Sequence, residues 1–358
     1  MSNKFDNENV IPWYFWILGR KSKSRGVVIY FLSRRYGTSP RFFPLYNELR
    51  QTDIILFRGS RLPLVDRFYL KLLPCFIICF KRKLQKYDYF IALNSNPNLV
   101  ISTNMILNLD DPMYSADELA SIKNWEISVK NRGFMSSIVC TTKYIHDYLK
   151  SNGVMSSISV IPQGHSNLET SNIRRGSTSE GNLNFVYISP TIDVKGDPHE
   201  GHNMWDASTL LLDIWPRVTA SNARLHLIGR LGQNASLSLS DNRIISYGLI
   251  SIKECSKILP NFDVALYPRV HDNAWLPQKL VEYIGAGLPI LAFDLIDSNI
   301  VGQLNVGLLL KNAEEFAQIM NEISSGLVSV DDLRKNSVRV APDYSWSSLA
   351  VKFESIFQ

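Results

Sequence analysis

The sequence predicts an α/β protein of two domains, each a parallel sheet covered by helices, with the two sheets facing a central cleft. Three observations predict it. At 358 residues the chain is long for one compact core and comfortable for two. Short β-branched and aromatic runs alternate with helical patterns in both halves, as parallel sheets buried on both faces require. Between the halves lies a stretch rich in Ser, Asn, Gly and Thr with no apolar periodicity, over 162–182. The expected division is a first domain over 1–165, a linker over 166–182, a second domain over 183–342, and a terminal helix over 343–358 that packs back toward the first domain. With 45% hydrophobic and 20% charged residues, the composition is that of a folded chain rather than a disordered one.

The elements follow in order. GVVIYFL (26–32) reads as a buried parallel strand entered from Gly26, and DIILF (53–57) as a second. Residues 36–42 form a Gly/Ser/Pro turn before a helical pattern at 45–49. Residues 62–86 read as helical and basic, with Pro74 breaking the middle. Further strands are expected at 89–93, 98–101 and 105–109. A helix follows over 117–129, where Ser115 and Glu118 have the spacing of a capping box. A strand over 136–141, a helix over 142–151 ended near Gly153, and a strand over 157–161 complete this half. The second half alternates more cleanly. Its strands are expected at 183–189, 224–228, 263–267, 290–293 and 306–310. Its helices are expected at 204–219, 252–259, 277–286, 313–324 and 346–357.

Charge is unevenly shared. Residues 1–165 hold 22 Lys and Arg against 12 Asp and Glu, whereas residues 166–358 hold 16 against 21. Within 20–86 the ratio is 16 to 3, a field that attracts phosphate-rich or anionic partners. Around Arg58, Arg61, Arg67, Lys71, Lys81, Arg82, Lys83 and Lys86 the cations interleave with Leu, Phe and Tyr. That pattern reads either as a peripheral face for an anionic membrane over 58–86 or as a solvated helix face above a core stripe. No nucleic-acid-binding motif accompanies it. The most apolar run, LLPCFIICF (72–80), is far short of the ~20 residues that span a bilayer. The start, MSNKFDNENVIPW, lacks the pattern of a signal peptide, so the expected location is cytoplasmic, soluble or peripheral at the inner face of a membrane. Cys75, Cys79, Cys140 and Cys255 have no metal-binding or paired spacing and read as small buried hydrophobes.

The most informative segment is WLPQKLVEYIGAGLPILAF, residues 275–293. Pro277 suits the first helical position, Gly287 a left-handed cap, and Pro289 prevents continuation into anything but the next strand. Leu280, Val281 and Ile284 share one arc of this helix, while Gln278, Lys279 and Glu282 fall outside it. Such a helix start binds phosphate through its N–H groups and positive dipole end. Glu282, two turns in, has the reach to accept hydrogen bonds from both hydroxyls of a ribose. The plainer reading of the same pattern is an amphipathic surface helix with a Lys279–Glu282 ion pair. A dinucleotide fingerprint is excluded, because Gly285 and Gly287 end a helix rather than open one.

KLVEYIGAGLPI (279–290) resembles the donor-site signature of glycosyltransferase family 4, the group 1 transferases of GT-B fold with two Rossmann-like domains. Further stretches match in order: VIPQG (160–164), VKG (194–196), ARLHLIG (223–229), FDVALYP (262–268) and Ser345-Trp346. The likeness covers roughly residues 135–358, and the first hundred residues only in outline. It implies that Glu282 binds the nucleotide ribose and that Lys195 approaches the donor diphosphate as its bond to the sugar breaks. It places the backbone around Trp275, Leu276, Gln278 and Lys279 against phosphate or sugar, and Gly37 and Thr38 in a loop over the phosphates. Two charges of the pattern are replaced, by Ala274 and by Pro190, and Arg230, Arg269 or Lys279 are the cations at hand to substitute. In place of the His-Asp pair common in such first domains stand Asp110 and Asp111. They either accept the proton of an acceptor hydroxyl or hold a sugar hydroxyl, or Asp111 caps the turn at Pro112.

The resemblance implies a retaining transfer of a hexose-type sugar from a nucleotide diphosphate donor to a lipid-linked, oligosaccharide or polysaccharide acceptor, with no metal and no further cofactor. A nucleotide-sugar epimerase and a non-catalytic partner of the same fold are the alternatives. HEGH (199–202) lacks the spacing of a helical zinc motif; its loop, 193–203, is long enough to reach the cleft and reads either as a plain loop or as one that recognises a sugar. His165 reads as structural or exposed rather than cleft-facing.

Overall fold

The computed structural model describes residues 10–12, 24–32, 45, 48–58, 75, 77–93, 100, 102, 104–109, 116–165, 181–194, 207–238, 240–271 and 276–357. The chain forms two compact units. One comprises Met1–Pro162 together with Trp346–Gln358, the other Gln163–Ser345. Among the described residues, no helix is long and apolar enough to cross a membrane.

The first unit is built on a seven-stranded sheet of order β1-β3-β2-β4-β5-β6-β7. The strands are β1 (Val10–Pro12), β2 (Gly26–Leu32), β3 (Thr52–Arg58), β4 (Tyr89–Ala92), β5 (Asn104–Asn108), β6 (Met135–Cys140) and β7 (Ser157–Val160). Every pairing is parallel. Helix α1 (Ala116–Asn131) buries Ile122, Trp125 and Val129 against one face of this sheet. Helix α2 (Lys143–Ser151) starts at Thr142, whose hydroxyl accepts from the Ile145 amide, the usual satisfaction of a first-turn orphan donor. The expected capping residue Ser115 lies outside the described residues.

Two buried carboxylates stitch this unit. Asp53 on β3 accepts from the Ser24 hydroxyl (2.6 Å) and the Tyr87 hydroxyl (2.6 Å). Glu126 on α1 accepts from the Met155 amide (3.0 Å) and from the amide and hydroxyl of Ser156, so the chain entering β7 is tied to the helix.

The second unit carries a six-stranded parallel sheet of order β10-β9-β8-β11-β12-β13. Its strands are β8 (Leu183–Ile192), β9 (Ala223–Leu231), β10 (Ile244–Gly248), β11 (Val264–Tyr267), β12 (Ile290–Phe293) and β13 (Gly307–Leu310). Its α-helices are α3 (Gln233–Ser238), α4 (Ile252–Ile258), α5 (Gln278–Gly285), α6 (Asn299–Gln303), α7 (Ala313–Ser324) and α8 (Asp331–Val340). Strand order runs outward from β8 in one direction and from β11 in the other. The boundary between them is a topological switch point, where open α/β sheets bind ligands beyond their carboxyl ends. The last helix, α9 (Trp346–Glu354), belongs to the first unit. Its Trp346, Leu349 and Phe353 lie in a core with Val28, Ile54 and Tyr89, and its Glu354 accepts from the amides of Arg50 (2.6 Å) and Gln51 (2.8 Å).

Several expectations change. β8 does not stop before Pro190. It shifts register between Ile188 and Thr191 and runs on to Ile192, with Pro190 exposed at the irregularity, where a missing donor is tolerated. The expected helix over 204–219 is helical over 207–217 in its described part: α at 207–208, π over Thr209–Ile214, then a 3-10 turn (Trp215–Arg217) that carries Pro216 near its start. Val100, expected within a strand, is buried outside any strand. Cys75 and Cys79 are exposed rather than buried: the basic helical segment 77–84 turns Ile77 and Leu84 to the core and Cys79 away from it.

Candidate donor site

The site is assembled at the carboxyl ends of β8 and β11 by the start of α5. Helix α5 begins one residue later than its sequence suggests. Pro277 is the N-cap, with extended backbone (φ −65°, ψ 134°), and its carbonyl accepts from the Leu280 amide (3.1 Å). Its end is locally encoded. The Leu288 amide donates to Tyr283 O (3.0 Å) and the Gly287 amide to Ile284 O (2.9 Å), the paired bonds of a Schellman motif, with Gly287 at φ 70°. Leu280, Val281 and Ile284 are fully buried, whereas Gln278, Lys279 and Glu282 are partly exposed.

Lys279, in the first turn, lays its ammonium over two buried rings: 4.8 Å from the centroid of Tyr187 on β8 and 5.6 Å from that of Tyr267 on β11. The cation therefore sits at the switch point. Tyr267 is fixed from its far end, donating its hydroxyl to Asp297 Oδ2 (2.7 Å). Arg269 completes this cluster. Its Nε lies 3.5 Å from Asp297 Oδ2 and donates to His271 O (3.0 Å), and its Nη1 donates to the Tyr267 hydroxyl (3.4 Å). Both partners of this ion pair are almost wholly buried, so each neutralises a charge that the interior would otherwise reject. Arg269 thereby staples the start of the segment leading into α5.

Glu282 lies one turn beyond. Burial pushes its carboxyl up to about 7, and the hydrogen bond from Gln278 Nε2 (2.8 Å) acts in the opposite direction without overcoming it. The same Gln278 Nε2 donates to Gly164 O (2.6 Å), at the chain's entry into this unit. The following residue, His165, is buried. It donates from Nε2 to Ala341 O (2.7 Å), and its ring lies so close to Gly285 that a β-carbon there would come within 2.3 Å of it. This is the structural role of the two weighed for His165.

A helix start and a carboxylate two turns along suit a phosphate and a diol. The family description "Glycosyl transferases group 1" matches residues 201–325, the segment that contains β9 to β13 and α5. The chain carries a group 1 glycosyltransferase domain. No curated protein matches the sequence. Solved structures match the fold over nearly the whole chain. They include WaaG, a glycosyltransferase involved in lipopolysaccharide biosynthesis (13% identity, 93% of this chain and 99% of that chain, TM-score 0.57). Anabaena HepE in complex with UDP matches at 12% identity over 93% of this chain and 99% of that chain, with a TM-score of 0.65. A trehalose-6-phosphate synthase studied for glycosyl transfer with retention matches at 12% identity over the same shares, with a TM-score of 0.58. The fold of this glycosyltransferase is therefore GT-B.

Of the residues singled out in the sequence, the glycosyltransferase domain gathers Gln278, Lys279 and Glu282 on one helix. Leu276 precedes them as a core side chain, so only its backbone is available to a ligand. Lys195, Trp275 and Ala274 lie outside the described residues, as do Gly37, Thr38, Asp110, Asp111 and the HEGH segment. Among the described residues, no group of three or more His, Cys, Asp or Glu gathers as a metal site. Of the three cations considered as substitutes, Arg230 is exposed on β9, Arg269 is buried against Asp297, and Lys279 alone combines partial exposure with the switch point. Tyr187, Tyr267 and Asp297 were not anticipated. Tyr267 ends β11, whereas Tyr187 lies within β8 and Asp297 in the turn before α6, so no common sequence signal marked them.

Proposed function

We propose that this glycosyltransferase moves a hexose-type sugar, with retention of anomeric configuration, from a nucleotide diphosphate donor to a lipid-linked or polysaccharide acceptor. The observation that carries the reading is the pairing of Lys279 and Glu282 on the first two turns of α5, at the switch point of the second sheet. In this reading Glu282 accepts hydrogen bonds from the ribose hydroxyls. The ammonium of Lys279, the start of α5 and Lys195 carry the negative charge that builds on the diphosphate as the glycosidic bond to it breaks. The diphosphate then needs no metal and the reaction no further cofactor. Gly37 and Thr38 cover the phosphates, and Asp110 or Asp111 holds the acceptor or takes its proton, roles that rest on the sequence resemblance.

The experiment is a thermal-stabilisation screen with UDP, GDP, ADP and dTDP, followed by transfer assays with the matching nucleotide sugars. The expected result is stabilisation by one base class, and transfer that Glu282→Ala and Lys195→Ala abolish while both variants stay folded. Full activity in both variants sinks the site assignment. Donor conversion without acceptor marks an epimerase instead, and binding by none of the four nucleotides favours a non-catalytic partner. UDP leads the series because a protein of like fold, HepE, was crystallised with it.

A cytoplasmic position at the inner face of an anionic membrane belongs to the same reading. It is supported by the segment 77–84, where exposed Ile78 and Cys79 stand beside exposed Lys81 and Arg82, with Lys86 close enough to Lys83 to help lower its pKa after burial. Sedimentation with anionic liposomes at low salt, lost at high salt, is the expected outcome; no sedimentation at low salt removes the membrane claim.

A further inference from the structure

We propose that Gln278 is the positioning residue of the donor site, holding the Glu282 carboxylate in place for the ribose by anchoring it to the chain's entry into the second unit at Gly164. The proposal rests on the donor-site reading above and adds a residue whose side chain that reading leaves without a role. The geometry fixes the amide's orientation. Its NH2 faces two acceptors, Gly164 O at 2.6 Å and Glu282 Oε1 at 2.8 Å, so the nitrogen must lie on that side. The amide oxygen is consequently turned into the interior, where it is buried and, among the described residues, without a hydrogen-bond partner. A buried unpaired acceptor is unfavourable, and the two donations are what hold the side chain in that orientation.

The anchor at Gly164 is itself rigid. His165 pairs with Ser345 in a parallel bridge, its amide donates to Tyr344 O (2.9 Å), and its ring closes over Gly285. Glu282 is thus referenced, through Gln278, to a chain segment remote in sequence. Burial and the Gln278 hydrogen bond govern its titration, and the Cys255 thiol on α4 is coupled to it. That thiol is itself pushed up to about 12 by burial and by Glu282. Gln278 favours the charged carboxylate, which can accept from both ribose hydroxyls, against the burial that favours the neutral acid.

The test measures UDP affinity of the full chain by calorimetry from pH 6 to pH 9, for wild type, Gln278→Met, Gln278→Glu and Glu282→Gln. If UDP is silent, the base that stabilises wild type replaces it. Wild-type affinity should fall as pH drops through Glu282's midpoint. Losing a hydrogen bond to a charged group moves that midpoint upward by about one to two pH units in Gln278→Met, with affinity recovering above it. Gln278→Glu, which adds a second carboxylate, should move it at least as far. Glu282→Gln should remove this midpoint altogether. Ionisation of the nucleotide's own phosphate, near pH ~6, is common to all variants and cancels in the comparison. A uniform loss of affinity in Gln278→Met with an unmoved midpoint assigns Gln278 a merely structural role and overturns the proposal. Melting without nucleotide checks that the variants are folded. A wild type that binds none of UDP, GDP, ADP and dTDP overturns the donor reading itself, a result distinct from an unmoved midpoint.

Discussion

Glu126 in the first unit and Glu282 in the second are both helical carboxylates drawn into the protein, and they are treated in opposite ways. Glu126 is 5% exposed and accepts from the Met155 amide and from two donors of Ser156, all on the strand entry beside it. Its lone pairs are spent on the fold. Glu282 accepts from Gln278, yet burial still dominates and holds its carboxyl at about 7. A carboxylate tied by backbone donors is a structural rivet, whereas one raised by burial beside a switch point is poised to change its charge. The difference lies in what surrounds each group, since both are glutamates on amphipathic helices.

That contrast can be broken most forcefully at the rivet. Glu126→Ala should destabilise the chain by about 2–4 kcal/mol in urea denaturation, because the Met155 and Ser156 donors that converge on Oε1 would be left unpaired. Equal stability would mean that the Glu126 bonds contribute nothing net.

The opposite outcome is expected at Glu282. Glu282→Gln should lower nucleotide diphosphate affinity by about 1.5–3 kcal/mol, measured by calorimetry at pH 8. Its stability effect has a definite sign. Below about pH 4.5 Glu282 is protonated in both folded and unfolded chains; between there and about 7 only the folded chain keeps the proton. Wild-type stability should therefore carry a contribution that falls as pH rises through this window. Glu282→Gln should remove that slope, leaving the variant nearer or above wild type at pH 8. A variant less stable by the same amount at every pH would make Glu282 a second rivet.

Gly285→Ala probes the support beneath Glu282. The new methyl would meet the His165 ring at 2.3 Å, so a loss of about 1–3 kcal/mol is expected in thermal or urea melts, the cost of overpacking a fixed contact. Stabilisation, as helix propensity alone predicts, would show the His165 ring free to move. The smallest effect is at Lys279. Lys279→Met keeps the packing on Tyr187 and Tyr267 and removes about 0.5–2 kcal/mol of cation–π attraction. It should weaken UDP while leaving uridine binding unchanged, since only the diphosphate needs the charge.

How much was legible follows from the range of each interaction. The bounds of α5 were written locally, in Pro277, Gly287 and Pro289, because caps act within a turn of the residues that encode them. The sides of that helix were legible too, from Leu280, Val281 and Ile284. Edge strand β10 was not, because Ile245 and Tyr247 are partly exposed there and the run lacks the continuous apolar character of its buried neighbours. Helix α8 was missed because DDLRKNSVRV is polar almost throughout and buries only Ser337 and Val340. Edge strand β1, three residues long, was also beyond periodicity.

By itself the sequence determined the α/β alternation, the helix that carries Lys279 and Glu282, and the resemblance that named their chemistry. Periodicity, turn residues and short motifs are properties of neighbours along the chain. The tertiary structure alone decided that Lys279 rests on Tyr187 and Tyr267, that Arg269 is consumed by Asp297, and that Gln278 ties Glu282 to Gly164. It also decided which glutamate is tied by backbone donors and which is raised by burial. These contacts join residues that only the sheet order and the chain's return to Gly164 bring together, and a carboxylate's behaviour depends on the donors and burial that such contacts supply.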